Sequence, residues 1–152
     1  MQIYSQGEVD LNVFEANLDF EEIQPHQYNL YARFDINGVV HRTEPQISCS
    51  KITNWDVSFK FKVADVNKSL FIEIRNKMHP NARDKDDEVV GVCPLKVGSL
   101  VINADKEEMN DFFSVFDGNN SRLGFLQLKS RFEPSKIPSL NEVSREKGQE
   151  SQ

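Results

Sequence analysis

The densest set of oxygen ligands for a hard cation such as Ca²⁺ is the acidic run at residues 84–88, DKDDE. Glu21 and Glu22 are further acids that could lie nearby. Basic side chains alternate with the acidic run or shortly precede it and would repel a dication: Arg75, Lys77, Arg83 and Lys85. The run also lacks the turn glycine and the distal glutamate of an EF-hand. The pattern therefore favours a solvated charged loop over a metal site.

Catalytic chemistry needs a nucleophile, a base and an orienting group, or a metal cluster. The histidines His26, His41 and His79 stand singly, and the chain has no GxSxG, no HxxxH and no GxxxxGK[ST]. Cys49 and Cys93 lie on predicted strands outside any CxxC, where a cysteine acts as a small apolar residue with a reduced thiol. We therefore expect no enzymatic activity and no cofactor.

Length and charge narrow the classes of protein further. The 152 residues are enough for one domain, and a net charge of −6 disfavours binding to nucleic acid. No apolar window is long enough to cross a bilayer, and acids interrupt the first twenty residues, where a signal peptide would be apolar. We expect a cytoplasmic protein, with peripheral attachment to a membrane as the second option.

Apolar and polar residues alternate with period two in many segments bounded by Gly, Pro, Asn or Asp, which is typical of half-buried strands. Asn37-Gly38 between two such segments predicts a tight hairpin. Residues 76–88 are predicted to form a long loop, and residues 104–110 a short helix. We expect one all-β domain at 1–134 and a flexible tail at 135–152, which has too few apolar residues to offset the entropy of ordering.

Several segments then resemble the strands of C2 domains, in the order in which that family has them. They are GEVDLNV at 7–13, YARF at 31–34, TNWDVSFKF at 53–61, LFIEI at 70–74, DEVVG at 87–91 and the closing strand at 124–132. The resemblance covers about residues 7–134 and implies an eight-stranded antiparallel β-sandwich.

The resemblance also implies that the calcium cup of the family is lost. Calcium-dependent members hold the ion with five aspartates from two loops, and here four of those places fall on Ile23, Asn29, Asn76 and Met78. Only Glu88 is retained as an acid. We therefore expect a calcium-independent member with no metal site.

Other C2 domains bind phosphoinositides through a basic concave face. The residues that match this face or lie near it are Tyr31, Arg33, Arg42, Trp55 and Lys60. The match is partial, because two family lysines fall at Thr43 and Pro45 and the family asparagine becomes Asp56. Tyr31 and Trp55 are also typical of rings that pack a sandwich, and we expect Trp55 to be partly buried.

Two functions remain. The leading one is a module that docks onto a protein partner through a sheet face or edge strand, and the alternative is a membrane-targeting module that binds anionic phospholipid or phosphoinositide. A contiguous basic concavity around Tyr31, Arg33, Arg42 and Lys60 would favour lipid, whereas an apolar or acidic face would favour protein docking.

Overall fold

The computed structural model describes residues 6–19, 28–48, 50–101 and 108–135. Within them the chain forms strands and two short 3-10 turns, Asp84–Asp86 and Val97–Leu100. The strands are β1 (Gly7–Leu18), β2 (Tyr28–Ile36), β3 (Val39–Arg42), β4 (Gln46–Ser48), β5 (Ile52–Val63), β6 (Ser69–Asn76), β7 (Glu88–Lys96), β8 (Met109–Phe116) and β9 (Arg122–Pro134). The all-β prediction is confirmed.

Every strand pair is antiparallel, and the order along the hydrogen-bonded path is β3-β2-β6-β7-β8-β9-β1-β5, with β4 also paired to β2. A single residue pair, Val92 with Phe116, joins β7 to β8. The path therefore divides into two four-stranded sheets, β3-β2-β6-β7 and β8-β9-β1-β5. This is the predicted eight-stranded sandwich, and β4 is an additional three-residue strand.

The two sheets enclose one apolar core, because alternate residues on each strand point inward. Leu11 of β1, Ile72 of β6 and Leu128 of β9 are all fully buried. Aromatic rings close the gap between the sheets: the ring of Phe34 on β2 lies 5.4 Å from that of Phe59 on β5, in an edge-to-face contact.

The predicted hairpin joins β2 to β3. Asn37 has φ 56° and Gly38 has φ 74°, so both central residues adopt the left-handed conformation that a two-residue type I′ turn requires. The predicted helix at 104–110 is wrong at its C-terminal end, where Met109 already begins β8; its residues 104–107 lie outside the described residues. The predicted tail from residue 136 onward also lies outside them.

Candidate functional site

The outer surface of the β3-β2-β6-β7 sheet carries a cluster of charges. Tyr31 pairs with Arg75, and Arg33 pairs with both Glu73 and Arg42, so these side chains of three adjacent strands share one side of the sheet. Loop 77–87 folds back over them and adds further charges. We call this set the charged face: Tyr31, Arg33, Arg42, Glu73, Arg75, Lys77, Asp84 and Asp87.

Asp87 anchors the loop to the sheet. Its side chain is buried, and it accepts hydrogen bonds from the Tyr31 hydroxyl at 2.6 Å, the Lys77 ammonium at 3.1 Å and the Met78 main-chain N–H at 3.1 Å. Burial opposes ionisation, but these three donors outweigh it and hold the pKa of Asp87 below its ordinary value. Tyr31 is buried although it points away from the core, and its burial and its bond to Asp87 raise the pKa of its hydroxyl.

Asp84 lies among three cations. Its carboxylate is 2.9 Å from Nε of Arg42, 3.8 Å from Nε of Arg33 and 3.2 Å from Nζ of Lys77. Arg75 also donates to the main-chain carbonyl of Asp84. The 3-10 turn at Asp84–Asp86 therefore places one carboxylate where an external anion would meet the basic residues of the face.

Lys77 links the two acids. Its ammonium lies between the Asp84 and Asp87 carboxylates, donates to the Ala82 carbonyl and is 5.7 Å from the centre of the Tyr31 ring. Partial desolvation works against the charge, but the two carboxylates raise the pKa of Lys77 above its ordinary value. A tethered ammonium thus has the oxygen ligands that a free cation would need.

The remaining cations are also held by the protein's own groups. Glu73 contacts Arg75 at 2.9 Å and Arg33 at 3.6 Å, and the Arg42 guanidinium stacks 4.6 Å above the Tyr31 ring. The buried Nε atoms of Arg33 and Arg42 have no hydrogen-bond partner of good geometry among the described residues. Four cations face three acids, so little net positive charge is left.

The structure brings together three of the five predicted lipid-site residues, Tyr31, Arg33 and Arg42. Trp55 lies in the core, only 7% exposed, and its indole N–H donates to the Leu30 carbonyl at 3.1 Å. The expectation of a partly buried ring is therefore wrong. Lys60 is exposed on β5 opposite Asp10, on the outer surface of the other sheet, so it does not belong to the charged face.

That second outer surface carries an apolar groove of about 380 Å³ across β8, β9 and β1. Its walls are Phe112, Phe125 and Gln127 with Glu15 and Asn17. The Phe112 side chain is 61% exposed and Phe125 37%, and the Arg122 guanidinium stacks 4.8 Å from the Phe125 ring. We call these residues the aromatic groove.

Comparisons with known proteins identify the architecture. No family model and no curated protein matches the chain. Among solved structures, a C2 domain-containing protein from a putative elicitor-responsive gene matches 91% of this chain and 97% of its own, with 14% identity and a TM-score of 0.71. A C2 domain of plant Extended Synaptotagmin 1 matches 90% of this chain and 100% of its own, with 13% identity and a TM-score of 0.66. This chain has a C2-like fold.

Human GIVD cytosolic phospholipase A2 also matches this C2-like domain, with 13% identity and a TM-score of 0.63. The match spans 90% of this chain but only 17% of that enzyme. In the described part of the C2-like domain, no group of three or more His, Cys, Asp or Glu side chains could hold a metal ion, and no helix is long and apolar enough to cross a membrane.

Four of the five places that the resemblance assigns to calcium ligands lie among the described residues: Asn29, Asn76, Met78 and Glu88. Asn76 accepts the main-chain N–H of Asn29 at 2.8 Å and so ties β2 to β6. Glu88, the one acid retained from the family pattern, is exposed, whereas its neighbour Asp87 is the buried acid. Ile23 lies outside the described residues.

Three of the single histidines and cysteines of the C2-like domain, His41, His79 and Cys93, lie among the described residues. His41 stacks on Phe34 at 5.0 Å between ring centres, and burial raises the pKa of the Cys93 thiol to about 12. His79 is exposed, and His26 and Cys49 lie outside the described residues.

Proposed function

We propose that this C2-like domain is a non-catalytic, calcium-independent module that docks onto a protein partner. The observation that carries the proposal is the aromatic groove: two exposed phenylalanine rings, Phe112 and Phe125, line an open apolar cavity on a sheet face. Exposed aromatic rings beside a few polar groups are typical of protein-binding surfaces.

Calcium independence is supported by the position of Lys77. Its ammonium already neutralises Asp84 and Asp87, so a divalent ion would have to displace a covalently tethered cation. We expect Ca²⁺ to bind no tighter than the millimolar range, so that about 100 µM Ca²⁺ leaves the melting temperature unchanged, because a ligand far below its Kd stabilises a fold very little. An increase of several degrees would contradict this part of the proposal.

Binding to anionic lipid is the second candidate. It is favoured by the convergence of Arg33 and Arg42, whose buried Nε atoms lack hydrogen-bond acceptors of good geometry among the described residues. It is disfavoured because Glu73 and Asp84 neutralise these two cations and Lys60 lies on the other sheet. If lipid were bound, the domain would associate peripherally with a membrane.

Site-specific photocrosslinking separates the two candidates. A photoreactive phenylalanine analogue at Phe112 tests the aromatic groove, and the same analogue at Phe71 is the matched control, because Phe71 is 57% exposed on the outer surface of the other sheet. Docking predicts a discrete protein adduct in native extract from position 112 alone, which excess unlabelled domain competes away.

The contrary result is equally clear. Equal adducts from positions 112 and 71, together with sedimentation on phosphatidylserine or phosphoinositide vesicles that Arg33→Glu abolishes, would favour the lipid candidate. The melting curve of Arg33→Glu must match that of the unmodified protein for this outcome to count.

A further inference from the structure

β8 is an edge strand for most of its length. It pairs with β9 from Met109 to Phe116, but on its other side the described residues give it one partner, Val92 opposite Phe116. Residues 109–115 therefore present one row of main-chain groups that no described strand pairs. Such an edge can receive one more strand.

The hydrogen bonds show which residues face that open edge. The Phe112 N–H donates to the Asp111 carboxylate at 2.8 Å, so it is directed away from β9. Because the main chain of a strand repeats every two residues, Asn110 and Ser114 direct their N–H groups to the same side. Asp111 occupies a donor that an incoming strand would use.

The aromatic groove begins at this edge. Phe112 and Phe125 form its apolar walls, and a side chain of an added strand would lie beside Phe112 on the same surface. Glu15 in the groove and Asp111 on the edge form no ion pair with a described residue, and the whole chain carries a net charge of −6. An occupant with basic and bulky apolar residues would complement both features.

We propose that the β8 edge binds an extended segment of a partner protein by strand addition, with a bulky apolar side chain in the aromatic groove and a lysine or arginine beside Glu15 or Asp111. This inference rests on the proposed docking function and names the form and charge of the partner segment. A second copy of this chain fits less well, because edge-to-edge pairing would bring two sets of unpaired carboxylates together.

The test uses the full chain and a phage-displayed library of random twelve-residue peptides, from which the most enriched sequence is synthesised with a fluorescent label. Asn110→Pro removes one edge N–H, a change that edge strands tolerate. Asn110→Ala is the matched control, because both variants lose the hydrogen bond from the Gln127 amide and only the proline removes the N–H.

Strand addition predicts enriched sequences that alternate apolar and basic residues. It predicts about tenfold weaker binding to Asn110→Pro than to Asn110→Ala, since one main-chain hydrogen bond is lost and the proline ring obstructs the ladder. It also predicts slower amide hydrogen exchange at Asn110 and Ser114 in the complex.

Three results would overturn the inference. Equal affinity of the two Asn110 variants would place the peptide on the sheet face and leave the docking function standing. The absence of any enriched peptide would reject strand addition, while the crosslink at Phe112 decides the docking function separately. A dimer that Asn110→Pro dissociates and Asn110→Ala retains would assign the edge to a second copy.

Discussion

The hydrogen bond between Tyr31 and Asp87 gives the sharpest test of the charged face. Tyr31→Phe keeps the ring and removes the hydroxyl, so the 2.6 Å bond to the Asp87 carboxylate is lost while loop 77–87 keeps its other contacts. Asp87 is then left with Lys77 and the Met78 N–H as donors. The change isolates one buried, charge-assisted bond.

The expected loss of stability follows from the donors that surround the Asp87 carboxylate. A hydrogen bond to a charged group contributes ~1.5–3 kcal/mol, and the lower part of that range applies because Asp87 retains two donors. We therefore expect the free energy of unfolding to fall by about 1–2 kcal/mol at pH 7. Asp87→Ala, which removes the acceptor, in a double-mutant cycle with Tyr31→Phe would return a coupling of similar size.

The lowered pKa of Asp87 predicts how the effect of Tyr31→Phe on stability changes with pH. The pKa of Asp87 is lowered in the folded state, so its contribution is present above the unfolded pKa of ~3.9 and is lost as the pH falls through the folded pKa. Tyr31→Phe removes one cause of the lowered pKa. The difference in stability between the two proteins should therefore shrink as the pH falls through the lowered folded pKa of Asp87, because the bond then becomes a neutral one of ~1 kcal/mol.

Urea denaturation of both proteins at pH 7 and at a series of lower pH values measures these differences directly, and subtracting one curve from the other removes the titration of the other carboxylates. A loss below about 0.5 kcal/mol at pH 7 would show that the hydroxyl does not stabilise Asp87. A loss that stays the same size at every pH at which the domain remains folded would refute the assignment of charge to Asp87.

Three further predictions concern the core, the sheet and the loop. Trp55→Ala should cost ~3–5 kcal/mol in urea denaturation, because it empties a buried site and leaves a main-chain carbonyl without its donor. Gly124→Ala should lower the melting temperature strongly, since its Cβ would overlap the main-chain oxygen of Asn17 on β1, whereas Gly118→Ala meets nothing within 4 Å and should not. Asp84→Asn should increase sedimentation on phosphatidylserine vesicles at low salt by freeing cations of the charged face, and Asp86→Asn, an exposed acid of the same turn, should not.

The fold could be predicted because alternate residues of each strand are buried, which shows in the sequence as alternation of apolar and polar residues. The alternation from Val57 to Val63 placed the apolar residues of β5 on one side, and the structure buries Phe61 and Val63 and exposes Lys60. Asn37-Gly38 specified its turn through the positive φ that both residues tolerate. The predicted helix at 104–110 failed where tested, because helix propensity in a short segment yields to pairing with β9.

The charged face could be predicted only in part. Tyr31, Arg33 and Arg42 were grouped correctly because they lie on two strands joined by a tight turn, so register brings them together. Trp55 matched the same motif and Lys60 was predicted to lie near it, yet β5 lies in the other sheet. The Trp55 side chain enters the core, while Lys60 faces away from it. The pattern of a strand predicts which of its residues point inward and which point outward. It does not predict which of the two sheets the strand joins, and so on which outer surface its residues lie.

The role of loop 77–87 could not be predicted from its charges. A run of mixed charges is usually solvated, and nothing in the spacing distinguishes Asp87, which is buried, from Asp86, which is exposed. The difference arises when the loop crosses the sheet and meets the Tyr31 hydroxyl. A path of this kind depends on contacts between residues 56 positions apart, which local periodicity does not report.

Loop 77–87 supplies groups of the protein itself that a free cation or a free phosphate would have to displace from the charged face. Lys77 and Asp84 belong to the same chain as the charged groups that they neutralise. Their local concentration at the site is therefore of the order of millimolar or higher, as for any short tether. A free cation or a free phosphate must compete with that concentration and also break buried ion pairs. The aromatic groove, which we propose as the docking surface, has no comparable internal occupant, because Phe112 and Phe125 lack an apolar covering among the described residues.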